Sequence, residues 1–358
     1  MPDTLVLSID GMGGDRAPEI VVEGVDIAAK RQADVRFLLH GDEAKLTELL
    51  EPYPAAKAAS RVVAAEKIIG MEMKASQALR QGKGSSLWNA VVAVENGEAN
   101  AVVSAGNTGA FLAISMFRFR TMEGVHRPAL TTRWPNTQGG YTVILDVGAN
   151  VEADAEQLVE FAIMGEAFQR AVSGKPRPSV GLLNVGSEEQ KGHAEIRAAA
   201  QLIRDTNLDL EFQGFVEGDD IAKGTADVVV TDGFTGNIAL KTGEGTARLV
   251  AHFLREALTG SILGKLGALI AYPALRKLRD RMDPGTFNGA VFLGLNGLAV
   301  KSHGSADGRG FAAAIDVATL LARSHYREEI VQNLQRLTKA PADANTDGAL
   351  CWDSALYW

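Results

Sequence analysis

The chain has little of what usually marks a protein's class at sight. Its 358 residues include one cysteine, Cys351, which excludes an internal disulfide or a thiolate zinc cluster and fits a reducing compartment. No apolar run reaches the ~18 residues of a membrane span. The opening "MPDTLVLSID" lacks the basic and long apolar regions of a secretion signal, so the chain is expected in the cytoplasm. Positive charge is in deficit: 36 Lys and Arg stand against 44 Asp and Glu, and a net charge of −8 gives no general footprint for nucleic acid. An anionic partner must then meet a local basic patch. Nucleotide fingerprints are missing too. In "GMGGDR", Arg16 occupies the place of the third glycine of G-x-G-x-x-G, and no Walker-type phosphate loop occurs. Repeats of solenoid period and low-complexity tracts are absent.

What is present is an alternation of short apolar runs with helical patterns, the mark of βα units and a mainly parallel sheet with helices on both faces. Strands are expected at 5–9, 35–39, 61–65, 101–103, 142–145, 180–184, 227–231 and 291–300. Helices are expected at 18–30, 86–96, 155–172, 194–204, 239–258 and 311–337. One catalytic α/β domain over 1–339 is followed by a tail over 340–358 in which periodicity is lost. Glycine-rich loops follow the strands: "IDGMGGD", "VSAGNTG", "LDVGAN", "LNVGSEE", "TDGFTGN" and "VKSHGSAD". If the strands are all parallel, these loops converge on one crevice. Each alone is also ordinary turn chemistry. "VSAGNTG" lies between an apolar strand and a helix start, where backbone N–H groups and the helix dipole favour an anion.

These blocks carry a resemblance. "DGMGGDRAP", "ASQALRQGKGSSL", "VSAGNTGA", "RPAL", "LDVGANVE", "LLNVGSEEQKG", "ADVVVTDGFTGNIALKT" and "FLGLNGLAVKSHGSAD" occur in order from about Asp10 to Ile315. They resemble the signature blocks of the bacterial phosphate acyltransferases of phospholipid synthesis. The resemblance implies transfer of a long fatty acyl group from acyl carrier protein to inorganic phosphate, giving acyl phosphate, with no metal and no cofactor. It further implies a homodimer and a two-lobed fold similar to isocitrate and isopropylmalate dehydrogenases and to phosphate acetyltransferase. Trp88 departs from the family, which often carries Arg there.

Phosphate is itself a competent oxygen nucleophile, so the enzyme has to position it and stabilise the oxyanion. Loop residues assigned to substrate are Asp10, Gly13, Gly14, Ser104, Gly106, Asn107, Thr108, Asp146, Asn150, Gly233, Thr235, Gly236, Asn237 and Ser305. Lys301 and His303, two apart in an extended run, are expected on one face. Lys301 would neutralise phosphate or the oxyanion, and His303 would donate to the leaving sulfur. Lys191 is a second cation, or a solvated lysine. Asp232, with Asp10 and Asp146, either caps loop N–H groups, orients these cations, or holds a divalent ion.

Residues 260–285 concentrate positive charge beside apolar stripes. Leu266 belongs to a first helical stripe; Pro273 is expected to break the helix, and Arg276, Lys277, Arg279 and Arg281 flank a second stripe. The pair either packs on the core or docks acyl carrier protein, with reversible association at the membrane surface as a companion role. Three other functions remain open on the residues: a coenzyme A-dependent short-chain phosphate acetyltransferase, a metal- and nicotinamide-dependent dehydrogenase, and a non-catalytic binding protein.

Overall fold

A computed structural model describes residues 4–206, 208–282, 285 and 287–338. Among them eleven strands form one sheet: β1 (Leu5–Asp10), β2 (Val35–Gly41), β3 (Ser60–Ala64), β4 (Ala101–Ser104), β5 (Ala129–Pro135), β6 (Tyr141–Leu145), β7 (Ser179–Leu183), β8 (Glu211–Val216), β9 (Val228–Val230), β10 (Ala290–Leu293) and β11 (Leu298–Lys301). The helices are α1 (Glu19–Arg31), α2 (Glu43–Leu50), α3 (Pro54–Ala59), α4 (Ala75–Gln81), α5 (Ser86–Glu95), α6 (Thr108–Phe119), α7 (Ala155–Ser173), α8 (Ala194–Asp205), α9 (Gly218–Lys223), α10 (Gly233–Thr259), α11 (Ile262–Met282), α12 (Gly308–Ala322) and α13 (Tyr326–Thr338). The expected tail, 340–358, lies outside the described residues.

The strand order is β3-β2-β1-β4-β11-β10-β5-β6-β9-β7-β8. Two parallel blocks flank a central antiparallel stretch in which β10 pairs with β11 and β5, and β5 with β6. Central strands such as "AVVS" are buried along their length, as strands covered on both faces must be. One face packs on α1, α7, α12 and α13 through residues such as Val25, Phe161, Phe311 and Ile330. The other packs on α5, α6 and α9 through Val91, Phe111 and Ile221, with Leu240 of α10 alongside.

The antiparallel stretch corrects the all-parallel sheet on which the expected convergence of loops rests. Because β5 and β6 run in opposite directions, the block β6-β9-β7-β8 runs opposite to β1, β4 and β11. The loops after β1, β4 and β11 therefore leave the sheet in one direction and those after β6, β7 and β9 in the other, from ends one residue apart in level: Lys301 pairs with Ala290, and Leu145 pairs with Thr131 opposite Val291.

Other boundaries also differ. The expected strand 291–300 is a hairpin, β10 and β11, and the expected helix 311–337 is two helices, α12 and α13. Strands β5 and β8 are additional. Helix α10 starts at Gly233 instead of 239, because Asp232 caps it by accepting from Thr235 N at 2.8 Å. Its Gly236 permits close approach: a Cβ there would lie 1.9 Å from the Asp146 carbonyl oxygen. Pro273 does not end α11, which continues to Met282. The helical pair is thus α10 with α11, joined at a 117° bend, in place of two halves of 260–285.

Candidate active site

The register of three adjacent strands assembles a polar row. Lys301 of β11 pairs with Ser104 of β4, and Ile9 of β1 pairs with Val103, so Asp10 comes level with both. Their preceding residues, Ile9, Val103 and Val300, face the α1/α12 side. Alternation therefore turns Asp10, Ser104 and Lys301 to the α5/α6 side. All three are buried.

Ser104 Oγ donates to Asp10 Oδ2 at 2.7 Å and accepts from Gly106 N at 3.0 Å. Met12 N donates to Asp10 Oδ1 at 3.3 Å, and Ser86 at the start of α5 also bonds this carboxyl. Burial raises the Asp10 pKa above the usual carboxylate range, opposed by these bonds and by the Lys301 charge. Lys301 Nζ donates to Ala105 O at 3.2 Å and to Ser302 O. Burial pushes its ammonium pKa down to about 8, while Asp10 and Asp15 raise it and Lys241 lowers it further.

The three loops at this edge are locked together. Ser302 N donates to Ser104 O at 2.9 Å, Asp15 N to Gly304 O at 2.9 Å, and Arg16 Nη2 to Ala306 O at 3.0 Å. Gly13 is required by contact: a Cβ there would meet Asp10 Oδ2 at 2.3 Å and Gly106 N at 2.7 Å. Gly14 lies against Ala105. Exposed Thr108 and Gly109 open α6, where first-turn N–H groups have no acceptor within the helix and can meet an anion.

Asn107 does not aim its amide at that position. Its Oδ1 caps α6 by accepting from Ala110 N at 3.0 Å, and its Nδ2 donates to Met71 O at 2.6 Å and Met73 O at 2.8 Å. The side chain is spent on holding a loop. Lys301 and His303 also part company, since β11 ends at Lys301: the lysine is buried and the histidine exposed. His303 Nδ1 accepts from Ser305 N at 3.2 Å, with Ser305 Oγ 2.9 Å away, so the neutral ring carries its proton on Nε2. Partial desolvation lowers the His303 pKa; Glu244 raises it, and Lys241 and Lys301 lower it. Its backbone N–H donates to Asn288 Oδ1 at 2.9 Å, while Asn288 Nδ2 donates to Ser302 Oγ at 2.7 Å.

Across the antiparallel stretch the remaining candidates build turns. Asp146 accepts from Leu130 N at 2.9 Å, Gly148 N at 3.0 Å and Asn150 N at 2.7 Å. Asn150 Nδ2 donates to Pro128 O and to Asp146 Oδ2. Burial still raises the Asp146 pKa against these bonds. Asp232 accepts from the backbone and hydroxyl of Thr235. Gly233 packs against Asn150 O, and Asn237 lies by Gly148. Lys191 is exposed and ion-paired with Glu188 at 2.8 Å. Among the described residues, Asp10, Asp146 and Asp232 do not form a metal-holding group. Asp146 and Asp232 accept from loop and helix-start N–H groups, as the cap reading expects, and Lys191 is paired with Glu188.

Helix α10 links the two sets of loops. It begins at Asp232, and by Lys241 and Glu244 its charges act on Lys301 and His303. Lys241, Asn288 and Ser86 were not singled out from sequence, and Arg16 was noted only as a departure from a nucleotide fingerprint. Lys241 lies inside the expected helix 239–258, but helical spacing alone does not show which loop its face meets. Trp88 is buried under the Arg118 guanidinium, 5.9 Å from its ring centre.

The chain matches a family model described as "Fatty acid synthesis protein" over residues 5–328. It is 58% identical over 342 residues to a phosphate acyltransferase from Caulobacter vibrioides, covering 96% of this chain and 95% of that protein. It is 56% identical to a phosphate acyltransferase from Maricaulis maris, covering 92% and 95%. In fold it is similar to a phosphotransacetylase from Streptococcus pyogenes, with a TM-score of 0.58 at 17% identity, covering 90% and 95%. A branched-chain phosphotransacylase from Enterococcus faecalis gives 0.53 at 13%, covering 90% and 100%. At such identities the solved structures speak to fold alone, whereas the near full-length match to the first two proteins fixes the family: the chain belongs to the phosphate acyltransferases, enzymes that form acyl phosphate for phospholipid synthesis.

Proposed function

We propose that the acyl donor is acyl carrier protein charged with a long fatty chain, and that the row Asp10, Ser104 and Lys301 is the reacting centre. The observation that carries this reading is the buried ammonium of Lys301 beside the open N-terminus of α6. Phosphate at that position has an oxygen free to attack the thioester carbonyl. The carbon–oxygen bond forms, the carbon–sulfur bond breaks, and the hydroxyl proton of phosphate ends on sulfur. Lys301, with a pKa of about 8, is matched to a thiol of pKa ~8.5 and can pass that proton. His303 presents Nε2–H to the oxyanion as a neutral donor, so the role at sulfur first expected of it passes to Lys301.

Helices α10 and α11 supply the docking surface of this proposal. Leu249, Val250 and Phe253 are exposed on α10, as are Ile262, Leu263, Leu266, Leu269 and Ile270 on α11, with Arg276 and Lys277 exposed beyond them. The side chains of Arg279 and Arg281, also expected here, lie outside the described residues. Among the described residues no single helix is long and apolar enough to cross a membrane. A basic and apolar hairpin instead suits an acidic carrier protein and an anionic membrane surface. The homodimer, the cytoplasmic setting and the dehydrogenase likeness of the two-lobed sheet are further parts of this proposal, supported by the family resemblance.

The test is to supply phosphate with carrier-protein and coenzyme A thioesters of several chain lengths and to measure acyl phosphate. Preference for the long-chain carrier thioester is expected. Turnover of short coenzyme A thioesters alone would favour the acetyltransferase reading.

A further inference from the structure

The segment joining β3 to α4 crosses the edge of the sheet that carries Lys301, and it is fastened at both ends. Ser86 N donates to Lys67 O at 3.0 Å, and Asn107 Nδ2 holds the carbonyls of Met71 and Met73. It thus spans the N-termini of α5 and α6, beside Asp10 and Ser104. Ile69 is buried as its anchor, whereas Ile68 and Met71 are 53% and 40% exposed. Exposed apolar side chains on a segment held this firmly call for an occupant.

The surroundings indicate which. A Cβ built on Gly304 would lie 3.1 Å from Met71 Cε, so the thioether rests against the loop that follows Lys301 and His303. On the other side of the segment is a groove of about 760 Å³, lined by Ile68, Ala44, Thr47, Ala64 and Gly41. That volume lies within the roughly 300–1,000 Å³ of small-ligand sites. A Cβ on Gly41 would lie 2.7 Å from Met12 Cγ, and Met12 belongs to the loop whose N–H bonds Asp10. Met12 therefore connects the loop at Asp10 to the groove at Gly41, and Met71 lies on the Gly304 side of the same segment; both side chains are flexible enough to adapt to an unbranched chain. Asp42, Glu43, Glu48, Glu51 and Glu66 line the same groove. Their charge turns away phosphate and an acidic carrier protein but leaves an uncharged hydrocarbon unaffected.

We propose that this groove receives the distal part of the acyl chain, with Ile68 as its apolar wall, Met12 and Met71 on the approach to it from the reacting centre, and Asn107 as the residue that positions the segment carrying Ile68 and Met71. The inference rests on the long-chain donor reading above.

Thr47→Trp narrows the groove, and Ile68→Asp places a charge on its wall; both positions are exposed, so folding does not depend on them. Measure kcat/KM for butanoyl and hexadecanoyl thioesters of the carrier protein in wild type and both variants. Each buried methylene is worth several-fold, so the hexadecanoyl value should fall roughly tenfold or more while the butanoyl value stays within about twofold. Ile68→Leu should keep the wild-type profile. Equal losses for both donors, or no loss for either, would overturn the inference. A wild-type enzyme that makes no acyl phosphate from any long-chain thioester would overturn the donor reading instead, which is a separate result.

Discussion

Ser104 donates its hydroxyl proton to Asp10 across 2.7 Å between neighbouring strands, inside a layer where neither side chain meets bulk water. The bond holds a buried carboxyl beside Lys301 and fixes the loop that Gly106 enters. Ser104→Ala leaves one oxygen of Asp10 without this donor. We expect a stability loss of about 1–3 kcal/mol by denaturant unfolding. An unchanged midpoint would mean that the pair does not hold the loops.

The pH dependence has a definite sign. The Lys301 pKa lies at about 8, below the ordinary lysine value of 10.5, so folding disfavours its charged form. That penalty is fully present below pH 8 and is relieved as pH rises from about 8 toward 10.5, where the unfolded chain binds the extra proton. Turnover that needs the ammonium should fall across the same window in which this term raises stability. Parallel kcat and unfolding profiles check it; turnover that is flat through pH 8 would exclude a protonated Lys301 from the rate-limiting step.

Asn107→Asp separates two jobs of one side chain. The carboxylate still caps α6, but it has no N–H for the carbonyls of Met71 and Met73. Hydrogen exchange should quicken at residues 70–73 and stay unchanged in α6. Equal protection at both places would show that the amide does not hold the loop.

Asp232→Ala should lower stability by roughly 0.5–2 kcal/mol, the usual range for a lost helix cap, with kcat retained. A large fall in kcat at unchanged stability would return Asp232 to the reacting centre.

Much of this arrangement was legible in the residues. Asp10, Ser104 and Lys301 each end an apolar run, so the strand-and-loop reading found all three. Apolar runs carry no record of strand direction, however, and "ALTTRWP" is polar at its end, so the antiparallel β5 that reverses the second block went unseen. The glycine loops after β6, β7 and β9 consequently leave the sheet in the direction opposite to the one expected. Asn107 and Asp232 show a second limit. The same oxygen and amide that bind a ligand also cap a helix, and only the fold decides between the two uses. Lys241 escaped because periodicity within 239–258 does not say which loop a helix face meets; the true start at Gly233 was missed because "GFTGN" contradicts local propensity, which the Asp232 cap and close packing on Asp146 override.

The most direct test of the account is the turnover of Lys301→Met with the long-chain carrier thioester and phosphate. Methionine matches the lysine stem without its charge; removing one of two neighbouring buried charges lowers stability, so folding is verified by denaturant unfolding before turnover is read. The account predicts a folded enzyme whose kcat for acyl phosphate falls by about 10²–10⁴, as for loss of a general acid. A correctly folded Lys301→Met enzyme with wild-type kcat would contradict it.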